Sequence, residues 1–326
     1  MLTPDDVGQR VVVRRVVGVR HGRPLYTDAI GELTELTETD LSLATGRGPL
    51  RVPLAEVHRA KRVPGRRRPT RAEVAALELA ADEAWPAPVR ERLGDWWLRA
   101  AGGWTGRANS ALPIGDPGLP LAAAVDAVER WYAAHGLRPR VNIPLPLAAA
   151  VNAELDARGW LTAPPVLVQT APLATVLDAV PQRPDLPPVR LEAGPSPEWL
   201  AIAGGRKGTP PAAARRLLTD VGEVRFAHVY AEEGPLVAIA RGTVTGGGRW
   251  LGLVLVEVVP PARRRGLARH VVRSLAEWAA GRGATDAFLQ VEEHNVEAVA
   301  LYARLGFTTH HRYLTRSAPD DAPRLG

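Results

Sequence analysis

Residues 263–268 read Arg-Arg-Arg-Gly-Leu-Ala. An apolar run over 251–259 leads into them through Pro260 and Pro261, and a helical pattern over 267–280 leaves them. A loop that passes from a strand into a helix presents backbone N–H groups with no internal partner, and the helix dipole adds positive character. That is an anion site suited to a pyrophosphate. Gly266 lets the backbone approach a ligand closely, and Ala268 stays small where the helix must also approach. Farther on, Leu289-Gln-Val-Glu-Glu-His-Asn295 brings carboxylates, an imidazole and a helix-capping amide to the end of a second apolar segment. Tyr302 lies two helical turns beyond Asn295, on roughly the same face. The chain has no cysteine, which excludes disulfides, thiolate nucleophiles and Cys-ligated zinc.

The spacing Arg263-x-x-Gly266-x-Ala268 after a hydrophobic strand resembles the acyl-CoA signature of the GCN5-related N-acetyltransferases (GNATs), Gln/Arg-x-x-Gly-x-Gly/Ala. The second block, 289–295 followed by Ala298, Leu301-Tyr302 and Leu305-Gly306-Phe307, is similar to that family's strand, Asn, helix, Leu-Tyr and Leu-Gly-Phe succession. The resemblance implies an α/β (α+β) GNAT fold over 188–318. It also implies direct transfer of an acetyl group from acetyl-CoA to a primary amine, of a small molecule or a protein, in a ternary complex.

The resemblance assigns roles to residues. The strand holding Val256 and Val258 splays from the strand 288–291, and the pantetheine arm pairs with the open backbone in the gap. An N–H near Val258 polarises the thioester carbonyl. The N–H groups of Arg264, Arg265, Gly266, Leu267, Ala268 and Arg269 hold the pyrophosphate, with the guanidinium groups of Arg263, Arg264, Arg265 and Arg269 within reach of phosphate. Asn295 caps the following helix and bonds the pantetheine or the chain around it. Tyr302 donates a proton to the leaving thiolate. An ammonium acceptor must also lose a proton before attack. Gly252, Val254 and Gln290 stand where the family often carries an acid, and Glu257 points away from the face of Val256 and Val258. Glu292 shares a face with Gln290 and is the expected base, with a water chain or His294 as alternatives. No metal is expected.

The 326 residues suffice for two or three domains, and 46% hydrophobic with 23% charged is ordinary globular composition. The net charge is +6, and Lys61 and Lys207 are the only lysines. Such a balance suits polyanions, either CoA phosphates or nucleic acid, and equally suits a coding bias toward arginine. The start, Met-Leu-Thr-Pro-Asp-Asp, does not read as a signal peptide. No apolar run approaches the ~20 residues of a membrane span. A cytoplasmic protein with no membrane partner is expected.

Residues 1–63 show short strands at 7–13, 29–36, 41–45 and 50–54, a turn at 46–48 and a closing segment at 55–63; the pattern resembles a small all-β SH3-like barrel. Residues 64–70 read as a basic linker. In 71–175 the pattern predicts a helix at 73–84, a hairpin from 95–99 through 100–103 to 105–114, a helix at 119–135, a strand at 139–143, a helix at 145–158 and a strand at 166–171. A Pro-rich stretch, 181–188, precedes the third part. The acceptor pocket is expected from 195–220 and 308–313.

Placing Gly136 on Gly283 puts Trp131 on Trp278 and Gly159-Trp160 on Gly306-Phe307. The same register sets Asp116 under Arg263, Leu119 under Gly266, Leu121 under Ala268, Ala148 under Asn295 and Leu155 under Tyr302. Pro120 removes a donor inside the equivalent loop. The 71–175 part therefore reads as a degenerate GNAT-like half that packs on the catalytic one and helps to shape its acceptor pocket. The whole resembles the tandem GNATs of actinobacteria. Two other functions fit the same residues: a nucleic-acid- or ribosome-associated factor that uses the barrel and Arg66–Arg68, and an acyl-CoA-binding module without turnover.

Overall fold

A computed structural model describes residues 2–20, 22–45, 48–63, 68–205, 212–232 and 234–319. It divides into two compact units, Met1–Arg68 and Pro69–Gly326. Most of the expected turn at 46–48 and of the linker, Arg66 and Arg67 included, lies outside the described residues.

The first unit is one antiparallel sheet of β1 (Arg10–Arg20), β2 (Arg23–Leu36), β3 (Asp40–Thr45), β4 (Gly48–Pro53) and β5 (Val57–Arg62), in the order β4-β3-β2-β1-β5. Strand alternation turns Val11, Val13, Leu33, Leu41, Leu43 and Val52 into a single core. The first strand begins later than the expected 7–13 and runs on to Arg20. Its charged continuation is carried by cross-strand pairing, such as Arg14 Nε to Asp28 Oδ1 at 2.8 Å.

The second unit opens with α1 (Arg71–Ala84) and the hairpin β6 (Val89–Leu93) and β7 (Trp96–Ala100). Then come α2 (Leu121–Ala134), β8 (Arg140–Leu145), α3 (Ala149–Ala157), β9 (Leu161–Thr162), β10 (Val166–Pro172) and α4 (Leu173–Ala179). The second half runs β11 (Arg190–Glu192), α5 (Pro197–Gly204), α6 (Ala212–Thr219), β12 (Val224–Tyr230), β13 (Leu236–Thr245), β14 (Trp250–Val258), α7 (Leu267–Ala280), β15 (Asp286–Glu292), α8 (Val296–Arg304) and β16 (Thr308–Ser317).

The hairpin differs from expectation. Strand β7 pairs with the preceding β6, and the expected partner 105–114 makes only an isolated bridge, Trp97 to Leu112. Gly94 turns the chain with a φ of 56°, and a Cβ there would meet Asp116 O at 2.4 Å. Such a tight turn favours glycine. The helix α4 was not legible in the sequence.

Helices α2 and α7 each have 14 residues, and α3 and α8 each have 9. Gly136, Gly159, Gly283 and Gly306 all take positive φ, from 63° to 89°, just past the ends of these helices. The sheet order is β11-β12-β13-β14-β15-β10-β16-β8, with β9 on β16. The halves thus exchange strands. β10, which follows α3, pairs with β15 of the second half; β16, which follows α8, pairs with β8 of the first; and β10 and β16 pair with each other. One continuous sheet results.

Helix α1 buries two carboxylates against this sheet. Asp82 Oδ1 accepts from Arg99 Nη1 at 2.8 Å, both side chains being 2% exposed, and Arg90 donates to the other oxygen. Asp82→Ala leaves the Arg99 guanidinium buried without a counter-ion. The expected cost is about 3–5 kcal/mol of stability, read as a lower urea midpoint; an unmoved midpoint would show that the pair is not structural.

Glu78 Oε1 accepts from His311 Nε2 at 2.7 Å, and His311 Nδ1 lies 2.9 Å from His310 Nδ1. With Nε2–H donating to the carboxylate, His311 Nδ1 is the acceptor and His310 Nδ1–H the donor. Burial, and then the neighbouring His311, push His310 down to about 4. An unfolded histidine titrates near ~6.5. Between those values the unfolded chain binds the extra proton, so stability falls as pH drops through that window. His310→Gln should flatten the decline between pH ~6.5 and ~4 in chemical denaturation series, and an unchanged slope would place the titrating group elsewhere.

Candidate active site

Strands β14 and β15 run parallel and pair from Trp250–Asp286 to Leu253–Leu289, where their ladder stops. Just beyond, Leu255 has a φ of 54°, and the register against β13 shifts between Ile239 and Arg241. This is a bulge, which bends a strand and ends pairing locally. Past it, Val259 N donates to Val237 O at 2.9 Å. Alternation along the strand turns the Val256 and Val258 N–H groups the other way, to the side where β15 no longer pairs. An extended ligand can add to such an edge.

The chain then makes a 3₁₀ turn, Pro260–Ala262, and enters the loop with Arg264 at a φ of 64° and Gly266 at 92°. His270 N donates to Gly266 O at 3.1 Å, so the N–H groups of the first turn of α7 are free of helical partners. Leu267 is buried and anchors this helix start in the core. Backbone donors from the bulge to α7 therefore follow one another along one strand–loop–helix passage.

The arginine side chains divide. Arg263 Nε donates to Val258 O at 3.1 Å, Arg264 stands 3.9 Å from Glu297 with both exposed, and Arg265 has no side-chain partner among the described residues. Arg269 departs from expectation. Its Nη2 donates to Ala179 O at 2.6 Å, and Arg273 beside it donates to Leu177 O and Val180 O. Both arginines satisfy carbonyls at the end of α4. Only the Arg269 backbone remains for an anion.

Asn295 caps α8, its Oδ1 accepting from Ala298 N at 3.2 Å. Tyr302 is buried with its ring edge-on to Phe307 at 5.8 Å. Burial, and then the charge of Glu257, raise its pKa above the usual tyrosine value, so it stays protonated at neutral pH. Glu292 ends β15 in the open, 3.3 Å from His294, so the expected base and one of its alternatives touch. Among the described residues no group of three or more His, Asp or Glu is placed to hold a metal ion.

Where β14 and β15 part lies a cavity of about 310 Å³. Val254, Leu255, Gln290 and Glu292 line one side; Tyr313 and Thr315 come from β16; Trp85, Thr105, Arg107 and Val166 come from the first half. Among the described residues, 195–220 contribute nothing to it, and the first half contributes several residues. Trp85 and Arg107 had no local signal: they come from the end of α1 and a short turn of the first half, far in sequence from β14 and β15.

A family model described as the C-terminal region of the probable histone acetyltransferase Rv0428c matches residues 71–315. The chain belongs to this family of GCN5-related N-acetyltransferases. The Mycobacterium tuberculosis protein named probable histone acetyltransferase Rv0428c is 32% identical over 96% of this chain and 97% of its own length. The uncharacterized N-acetyltransferase YobR of Bacillus subtilis is 25% identical over 74% of this chain and 98% of its own. A GCN5-related N-acetyltransferase from Kribbella flavida superposes with a TM-score of 0.58 at 18% identity, covering 77% of this chain and 97% of that one. A tandem GNAT protein from the clavulanic acid biosynthesis pathway gives 0.53 at 15% identity, over 77% and 89%. The two structural likenesses show the fold. The protein is thus an N-acetyltransferase built as a tandem GNAT behind an all-β unit.

Within this Rv0428c-type GNAT the two halves differ where the signature lies. In the first half Asp116 N donates to Asp95 Oδ2 at 2.9 Å, and Gly118 N donates to Asp116 Oδ1 at 2.8 Å. Asp116 thus takes the N–H of Gly118, whose counterpart in the second half, that of Arg265, is open, whereas the counterpart of the Asp116 N–H, that of Arg263, already donates to Pro260 O at 3.3 Å. Pro120 precedes α2, Ala148 starts α3 with no side-chain cap, and the apolar Leu155 stands in place of Tyr302.

Proposed function

We propose that the second half binds acetyl-CoA and transfers its acetyl group to a primary amine by direct attack, while the first half binds no CoA. The observation that carries this reading is the set of backbone donors left without partners, those of Val256 and Val258 beside the bulge and those of residues 264–269 at the start of α7, set against a first-half loop in which Asp116 takes the Gly118 N–H. Val256 and Val258 would pair with the pantetheine arm, and the N–H groups of residues 264–269 would hold the pyrophosphate, aided by the guanidinium groups of Arg263, Arg264 and Arg265.

Glu292, directly or through water, takes a proton from the ammonium of the acceptor. The freed lone pair forms a bond to the thioester carbon, and the Val258 N–H donates to the carbonyl oxygen as charge builds on it. As the C–S bond breaks, the Tyr302 hydroxyl protonates the departing sulfur, and the second proton of the new amide nitrogen passes through water to the tyrosinate and restores it. Asn295 fixes the start of α8 and so the position of Tyr302. The name of the M. tuberculosis relative puts protein lysine among the acceptors to be tried. Among the described residues no helix is long and apolar enough to cross a membrane, and the reading places the reaction in the cytoplasm. The five antiparallel strands of the first unit around one small core suit an SH3-like barrel, although β1 and β2, of 11 and 14 residues, are longer than the expected short strands.

Calorimetric titration of the full chain with acetyl-CoA and with CoA tests the reading. One saturable site per chain is expected. Two sites would overturn the inert first half, and no binding would remove acetyl transfer in favour of the nucleic-acid reading.

A further inference from the structure

We propose that the acceptor amine also carries a carboxylate, and that Arg107 of the first half receives it in the cavity beside the β14 bulge. This rests on the acetyl-transfer reading above, which supplies the amine. Arg107 belongs to a 3₁₀ turn, Arg107–Asn109, is half-buried and lines the cavity. Among the described residues it has no carboxylate within ion-pair distance. Its side-chain hydrogen bond goes to a neutral acceptor, Gln290 Oε1. The acids in its neighbourhood are already engaged: Glu78 with His311, and Asp82 with Arg99 and Arg90.

Behind the cavity wall a second guanidinium repeats the imbalance. Arg241 is fully buried, donates to Leu218 O at 2.8 Å and Ala84 O at 2.9 Å, and leaves Nη2 unpartnered. Arg107 and Arg241 both stand against the Trp85 ring, at 5.5 and 5.3 Å. Burial, and then the charge of Arg107, push Arg241 down to about 9, so both cations persist at neutral pH. A buried charge without a counter-ion is costly, and an arriving anion relieves it.

The polar groups of the cavity point to the same ligand. Gln290 Nε2 is buried without a partner, and Tyr313 lines the cavity with its pKa pushed up to about 12 by burial, so its hydroxyl keeps its proton. Arg107, Gln290 and Tyr313 are thus all donors. The one acid of the lining is Glu292, at the exposed end of β15. An amino acid matches this polarity: its ammonium goes to Glu292 and the bulge, its carboxylate to Arg107, whose planar fork suits a carboxylate. The volume of about 310 Å³ sits at the small end of the ~300–1,000 Å³ of small-molecule sites. A basic peptide would bring like charge against two guanidinium groups.

The test is calorimetric titration of the full chain with a panel of N-acetylated amino acids, the reaction's products, each beside its primary amide. At least one acid should bind ~30-fold more tightly than its amide, as loss of a buried charge partner predicts. Arg107→Met, which keeps the aliphatic stem, should bring the two within ~3-fold, and Gln290→Glu, which places a carboxylate beside Arg107, should do the same should the first variant fail to fold. Acids and amides that bind alike, a panel that does not bind, or a preference that survives in both folded variants would overturn the proposal. Titration of the same samples with acetyl-CoA separates the two readings. A carboxylate preference without acetyl-CoA binding keeps the subsite and removes the transfer; acetyl-CoA binding without the preference does the reverse.

Discussion

Gly266→Glu should lower acetyl-CoA affinity by at least ~10²-fold and leave the fold in place. The loop offers its donors to an anion only while no side chain competes for them. A glutamate there adds a carboxylate at the N-terminal end of the α7 dipole, where it repels pyrophosphate and offers its own oxygens to the same N–H groups. In the first half Asp116 takes the Gly118 N–H in the same manner. Strain must be separated from charge, because Gly266 has a φ of 92°, and a side chain at such an angle costs ~1–3 kcal/mol. A Cβ would also meet Arg183 Nη1 at 3.3 Å, the far end of a flexible side chain that can yield. Gly266→Ala carries the strain without the charge and should lose affinity only ~10-fold. Calorimetric Kd values with melting temperatures for both variants decide the matter. Full affinity in the glutamate variant would move the phosphates away from this loop.

Tyr302→Phe should reduce kcat by ~10²-fold, the usual weight of a positioned proton donor, with the Kd for acetyl-CoA changed less than twofold. The substitution removes one hydroxyl and keeps the ring that packs on Phe307. The raised pKa keeps that hydroxyl protonated when the thiolate leaves. Thiol release gives kcat and calorimetry gives Kd. An unaltered kcat would reduce Tyr302 to a core side chain, as Leu155 is in the first half.

What was legible in the sequence was local. Gly266, Asn295 and the left-handed glycines Gly136, Gly159, Gly283 and Gly306 declare themselves because each fills a backbone need that few other residues meet. The duplication was visible through them. The bulge at Leu255 was not, since a leucine at positive φ is set by pairing with β13 and not by its own preference. Arg269 looked like its neighbours in the arginine run, yet the end of α4, 90 residues away, claims its guanidinium. The cavity was least legible. Tyr313 comes there on β16, paired with β10 of the first half, and Trp85 and Arg107 come from the end of α1 and a short turn, and contacts over such distances leave no periodic trace in the chain.

That exchange also bears on how such a gene can change. After a duplication with separate folds, a copy that has lost its ligand is free to be deleted. Here the sheet of each half is completed by a strand of the other, so neither reading frame can be cut between them without breaking the β15–β10, β10–β16 and β16–β8 pairings and leaving their backbone groups unpaired. The first half could shed its anion loop, its capping asparagine and its tyrosine, yet not its length. It persists as an indispensable wall, and a wall freed of its former duty can drift in its lining. If the first half lines the acceptor site as proposed, acceptor preference can evolve in one copy while the chemistry stays fixed in the other.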